Sequence, residues 1–192
     1  LILYLSRQYT SSIIPMVLYI LSIQADLSGV ESLSLNQDAD ICVSVRNPTN
    51  VLEIRDKVVI DPTNLQIPEV KAHERHRDEH AFHLAFKWEG EQTRSTIRLG
   101  REGDDTNSKA VAAALRNVRD VVAGDNGQWV PILILNCDGC EPFAFHPMGN
   151  EFVVTDRAGV VHKEVDLSGG DWSFFDIGSG STSVLNLQAK FE

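Results

Sequence analysis

Apolar and polar positions alternate with a period of two along most of this chain, the signature of strands with one buried face. The runs VLYILSIQA, ICVSV, DKVVI, AFHLAFKW, STIRL, WVPILILNC, EFVVT, VVHKEV and VLNLQAKF are rich in β-branched and aromatic residues and bounded by Gly, Pro, Asn and Asp, which predicts strands joined by turns. In AFHLAFKW the pattern puts Phe82, Leu84, Phe86 and Trp88 on one face and His83, Ala85 and Lys87 on the other. Leu185, Leu187, Ala189 and Phe191 repeat it near the C-terminus. One segment follows the helical period instead. Val111, Leu115, Val118 and Val122 form an apolar stripe, Asn107 or Ser108 can cap it, Gly124 stops it, and Asp104 and Asp105 precede its positive end. The spacing predicts a helix over 109–123.

The pattern also repeats at longer range. YILSIQADLSGVESLSL, residues 19–35, aligns with PILILNCDGCEPFAF, residues 131–145, with one two-residue gap. Apolar strand, Asp, Gly, an apolar residue, Glu and a second alternating strand follow in the same order, which predicts two similar halves. In this register Cys137 falls on Ala25 and Cys140 on Val30. Free cysteine packs as a small hydrophobe, so both thiols are expected in the core.

Composition narrows the function. A formal charge of −10 and a pI near 5.0 argue against nucleic acid, which is held by clustered Lys and Arg, and against anionic membrane surfaces. The three cysteines, Cys42, Cys137 and Cys140, are too few for a disulfide framework and suit a reducing compartment, which predicts the cytosol. The apolar runs of residues 1–15 are broken by Arg7, Gln8 and Pro15 before reaching a membrane-spanning length. This stretch reads as an extension outside the fold, with Met16 as the natural beginning; a mitochondrial presequence competes, since it is Ser-rich and acid-free but carries one Arg.

Cys137-Asp138-Gly139-Cys140 has the spacing of a zinc knuckle or a redox pair. A reactive pair sits at a helix N-terminus, whereas Glu141-Pro142 and a strand follow here, and Asp138 and Glu141 oppose a thiolate. A zinc site would need two more ligands, for which His146 and His162 could be recruited, at an unfamiliar spacing. His73, His76, His80 and His83 cannot wrap one ion from a single helix face, and their charged surroundings read as a solvated loop with His83 already in a strand. GSGSTS, residues 178–183, lacks the lysine and helix of a phosphate loop and reads as a hairpin turn. No Ser/His/Asp order or carboxylate pair stands out, although such groups can converge in three dimensions.

Two motifs together resemble a known family. CDGCEPFAFHP, residues 137–147, is similar to the Cys-Arg-Gly-x-Glu-Pro, aromatic, Pro pattern of the eukaryotic CXXC-motif-containing zinc-binding proteins, and DWSFFD, residues 171–176, resembles their Asp/Glu-Trp-x-x-Tyr-Asp, with Phe175 in place of tyrosine. The signature residues are Cys137, Gly139, Glu141, Pro142, Trp172 and Asp176, expected to be structural. MVLYILSIQADLSGVESL is similar to the family's opening strand and turn, so the likeness spans residues 16–192. The resemblance implies a β-rich fold of two similar halves. It also implies two zinc-binding CxxC pairs in the first half, and those are missing: Asn47 and Asn50 stand at the first pair, Lys87 and Gly90 at or close to the second. An ammonium repels a dication and an amide oxygen is a weak zinc ligand, so no metal is expected there. Phe82, Phe86 and Trp88 are the residues expected to compensate by packing. The helix is then an insertion.

The expected fold is mainly β: two similar tandem β halves, sandwich- or barrel-like, packed as one unit with one inserted α-helix. Residues 16–100 form the first half with the degenerate zinc site, 101–128 the inserted helix and linker, and 129–192 the second half. The expected function is that of a non-catalytic soluble member of this family, acting as a protein-interaction scaffold, with no cofactor. The competing expectation is a zinc-binding or metal-handling protein using relocated ligands among Cys137, Cys140, His146 and the loop histidines. An enzyme with a site between the halves ranks below both, since no nucleophile and base are evident.

Overall fold

The computed structural model describes residues 16–68, 80–100, 109–178 and 180–192. In the first part of the chain, β1 (Val17–Ser28), β2 (Val30–Leu35), β3 (Ile41–Arg46), β4 (Ile54–Ile60), β5 (Leu84–Phe86) and β6 (Ser95–Gly100) follow one another. Helix α1 (Lys109–Leu115), the short β7 (Val121–Val122) and a 3-10 turn (Ala123–Asp125) come next. The second part carries β8 (Val130–Asp138), β9 (Glu141–Phe145), β10 (Phe152–Asp156), β11 (Val161–Val165), β12 (Trp172–Asp176) and β13 (Gly180–Phe191). The fold is mainly β, with one helix among the described residues, as the alternation predicts.

Among the described residues all pairings are antiparallel and give three sheets, ordered β12-β13-β1-β8-β6-β5, β11-β10-β2-β7 and β4-β3-β9. Exchanging β1 with β8, β2 with β9, β3 with β10, β4 with β11, β5 with β12 and β6 with β13 reverses the first order and turns the second into the third, apart from β7. Strands from the two parts of the chain are therefore interleaved rather than side by side. β2 of the first half pairs with β10 of the second, and β9 of the second pairs with β3 of the first. Leu21 and Leu133, matched in the alignment of the two halves, lie directly opposite each other where β1 meets β8.

The six-stranded sheet packs across the two smaller sheets over one continuous core, to which Leu21, Ile23, Leu99, Leu135 and Val184 contribute from one layer and Leu33, Val43, Val45, Phe152 and Val154 from the other. Ala25 and Cys137, and Val30 and Cys140, are all buried. Each pair of opening strands turns at a glycine, Gly29 and Gly139, both at φ 67°, a backbone region that costs side-chain-bearing residues roughly 1–2 kcal/mol.

Three local expectations are corrected. The helix stops at Leu115 rather than running to residue 123: Val121 and Val122 leave it to pair with Leu33 and Ser32 of β2, so the edge of a sheet outcompetes the helical stripe. Asp104, Asp105, Asn107 and Ser108 lie outside the described residues. Second, His83 is buried and precedes β5 rather than standing on a polar strand face; its Nδ1 accepts the Leu99 N–H at 3.1 Å, which satisfies the ring in the core. Third, the alternation through Leu185, Leu187, Ala189 and Phe191 is broken by Asn186, at φ 54°, beside a register shift against β1. Val184 is buried instead, while Leu185 and Ala189 face solvent.

A Cβ added at Gly29 would stand 2.4 Å from the Ser181 carbonyl oxygen, whereas one added at Gly124 meets nothing within 4 Å. Gly29→Ala is expected to cost at least about 2 kcal/mol in urea unfolding, from the positive φ together with this backbone clash. Gly124→Ala is expected to stay within about 0.5 kcal/mol; equal effects at the two positions would contradict the assigned turn.

Candidate functional site

The turns that hold Asn47 and Asn50, and Lys87 and Gly90, the positions at which the resemblance implies zinc cysteines, meet at one corner of the first part of the chain. The first, between β3 and β4, is closed by Asn47 N–H to Glu53 O (2.9 Å) and Glu53 N–H to Asn50 O (2.9 Å). The second follows β5, with Gly90 at φ 75° and Glu91 N–H donating to Trp88 O at 3.2 Å. Asn47 is only 3% exposed, and its side-chain amide is fully used. Oδ1 accepts from the Thr49 N–H (2.9 Å) and hydroxyl (2.8 Å), and Nδ2 donates to Glu53 Oε2 (2.9 Å) and Glu91 Oε1 (3.1 Å).

Further bonds pull the turns together. The other Glu53 oxygen accepts from the Glu89 N–H at 2.9 Å. Arg55 donates to the Lys87 carbonyl and lies over Phe86 (4.8 Å) and Trp88 (5.6 Å), a stacking worth about 0.5–1 kcal/mol at exposed sites. Phe86 and Trp88 meet edge to face at 5.0 Å. The Trp88 indole N–H donates to the Gly139 carbonyl at 2.8 Å, tying the corner to the signature turn of the second half. Beside it, Glu141 pairs with Arg46, and that hydrogen bond holds its carboxyl below the usual range. Pro142 is buried opposite Val45.

These residues do not suit zinc. The Asn47 amide has no free lone pair to offer, Lys87 brings a positive charge, Gly90 has no side chain and Asn50 is exposed. Among the described residues no group of three or more His, Cys, Asp or Glu is placed to hold a metal ion. Cys137 and Cys140 are buried, and the Cys140 thiol points at the Thr96 carbonyl at 3.8 Å. Burial first, then hydrogen bonding with Cys140, pushes the Cys137 thiol well above its ordinary pKa. His146 does not join them: the five strand residues Glu141–Phe145 stand between it and Cys140, six steps or about 20 Å at ~3.3 Å per residue. His73 and His76 fall outside the described residues.

His146 instead meets Ser44 and Asp56, a convergence that the order of residues does not reveal. Its Nε2 lies 2.7 Å from the Ser44 hydroxyl and 3.8 Å from Asp56 Oδ1. The strands on both sides of Ser44 shift register there, and Lys57 adopts φ 52° to donate its N–H to the Ser44 oxygen at 3.2 Å. The geometry is not that of a nucleophilic triad. The Ser44 proton goes to Asp56, so the imidazole donates to the serine where a general base must accept, and the carboxylate approaches the same ring nitrogen instead of the far one. Ser44 is 1% exposed.

In the second half the same kind of contact recurs. His162 on β11 packs against Trp172 (5.4 Å) and Phe174 (4.7 Å) of β12, as Arg55 on β4 packs against Phe86 and Trp88. Its Nε2 meets Asp156 Oδ2 at 3.2 Å. Asp156 also accepts the Val160 and Ala158 N–H groups, each at 2.9 Å, and the first of these leads in holding its carboxyl below the usual range. Asp176 caps the β12–β13 turn by accepting from Gly178 N–H at 3.1 Å. Glu53, Arg55 and Glu91 were missed from sequence because loop charges read as solvated. The Asn47-Pro48 step, a turn-initiating pair, was the available signal.

A sequence profile of the family described as CXXC motif containing zinc binding protein, eukaryotic, matches residues 20–192. Among solved structures, a hypothetical protein from Plasmodium falciparum is similar, with TM-score 0.71 and 22% identity over 92% of this chain and 100% of that one. The crystal structure of C1orf123 is similar as well, with TM-score 0.71 and 17% identity over 92% and 99% of the two chains. At these identities the likeness is one of fold. No curated protein matches by sequence.

Burial also raises the Cys42 thiol pKa. The unfolded chain therefore loses these protons first: the stability gained by keeping Cys42 and Cys137 neutral is full below about pH 8.5 and is lost as pH rises above it. A disulfide-exchange reagent at neutral pH is expected to label none of the three cysteines in the native protein and all three in denaturant. Fast native labelling of Cys137 would contradict the assignment.

Proposed function

Because the chain belongs to the eukaryotic family of CXXC-motif-containing zinc-binding proteins, we propose that it is a member whose zinc site has degenerated into a metal-free clasp of hydrogen bonds. It acts, in this reading, as a non-catalytic protein-interaction scaffold. The observation that carries the reading is the Asn47 side chain, whose four hydrogen bonds join Thr49, Glu53 and Glu91 across the two turns where the family's cysteines would stand. A buried amide with every donor and acceptor matched does the joining that a shared ion does elsewhere. Trp88 and its bond to Gly139 extend the same clasp by packing.

Several features support the rest. The interchangeable strand orders favour an origin of the two halves in one repeated unit. At the β11 and β12 edges Val160, Val161, Phe174, Phe175 and Ile177 are exposed, the last at 95%; a cluster of this kind marks a surface for protein contact. A non-catalytic role agrees with the saturated, buried Ser44. Three free, buried cysteines suit the cytosol. No helix among the described residues is long and apolar enough to cross a membrane. The metal-handling reading has less support, because His146 is held at Ser44, away from the thiol pair.

Asn47→Ala removes two donated and two accepted hydrogen bonds and leaves two carboxylates facing each other, so unfolding in urea is expected to show a loss of about 2–4 kcal/mol. In a double-mutant cycle Asn47→Ala and Glu91→Gln should couple rather than add. Trp88→Ala should cost about 3–5 kcal/mol. A parent-like melt for Asn47→Ala would remove the basis of the proposal.

A further inference from the structure

We propose that a pocket at one end of the sandwich binds a small aliphatic ligand carrying a positive charge, such as a primary ammonium. The pocket lies where β2 and β3 of one layer and β6 and β8 of the other come to their ends, closed by the segment that follows α1, and its volume is about 320 Å³. That is near the lower end of small-molecule sites, about 300–1,000 Å³, with room for about ten water-sized groups at ~30 Å³ each.

The walls set the body of the ligand. Leu35, Ile41, Leu99, Leu115, Ile132 and Leu133 line the space, and among the described residues no aromatic ring does. Asn36, Gln37, Arg119 and Asp120 put polar groups on the same lining, so the space suits an amphiphile with an aliphatic body and a polar head. The wall is also pinned: Arg119 N–H donates to Pro131 O at 3.1 Å and Val118 N–H to Leu115 O at 3.2 Å. The first of these bonds ties the segment after α1 to β8.

The rim sets the charge. Among the described lining residues the cation is Arg119, and its guanidinium is already engaged: both terminal nitrogens bond to Asp125, Nη2 at 2.8 Å, and Nη1 also bonds to the Asp120 carbonyl at 2.9 Å. The Asp125 carboxyl is held below the usual range by that pairing. The Asp120 carboxylate is exposed on the same rim, leaving a negative charge without the arginine to offset it. The overall charge of −10 reinforces the preference for a cation.

The test is an NMR titration of the full chain with n-hexylammonium, n-hexanol and n-hexanoate, following the methyl groups of Leu115, Ile132 and Leu133. The ammonium is expected to shift these methyls and to bind at least tenfold more tightly than the carboxylate. Asp120→Asn, a surface change, should remove the advantage of the ammonium over the alcohol, and Ala39→Leu, which fills the pocket, should weaken all binding at least tenfold. The proposal is overturned by the absence of pocket shifts at millimolar ligand, by shifts confined to the exposed Phe175 and Ile177 region, or by equal binding of ammonium and carboxylate. If Ala39→Leu does not fold, Asp120→Asn decides.

Discussion

β1 and β8 come from opposite halves of the chain and lie side by side at the centre of the six-stranded sheet. The other strands depend on this pairing. It places β6 against β8 and β13 against β1, so each half flanks the other's opening strand. The tight turns at Gly29 and Gly139 then send β2 and β9 into the opposing layer, where each pairs with a strand of the other half. Neither half can complete its sheets alone, which is why a single core spans both. The corner at Asn47 and Glu91 inherits its position from this arrangement: β9 holds β3 on one side, and the Gly139 carbonyl reaches Trp88 on the other.

A structural zinc ion joins two turns by strong bonds to four thiolates, and its loss would leave a small domain without a large part of its folding energy. Replacing it with polar side chains works only if every buried group is matched, since each buried orphan costs about 1–3 kcal/mol. Asn47 meets that condition with backbone-like geometry on one side and two carboxylates on the other. Arg55 adds a further tie between the two turns, donating to the Lys87 carbonyl and covering the Phe86 and Trp88 rings. Hydrogen bonds and stacking are individually weak, so the corner depends on several of them acting together with the core.

Strand identity was largely legible from alternation, and the burial of Cys137 and Cys140 could be read from Ala25 and Val30 in the matched positions. What alternation cannot show is register. The shift at Asn186 exchanges Val184 for Leu185 on the core face, and the capture of Val121 and Val122 by β2 shortens a helix that looks acceptable in isolation. The meeting of Ser44, Asp56 and His146 depends on two register shifts in neighbouring strands, for which no local pattern exists. The clasp was half legible. The resemblance marked the place, through Asn47, Asn50, Lys87 and Gly90, but Glu53, Arg55 and Glu91 resemble ordinary surface charge until the two turns are brought together.

The most direct test of a metal-free clasp is the metal content of protein purified without an affinity tag and without added zinc, determined by elemental analysis alongside a thermal melt of the same sample. The account predicts zinc far below stoichiometric together with a single cooperative transition. Stoichiometric zinc in the folded protein would contradict it and return Cys137, Cys140 and the histidines to consideration as ligands.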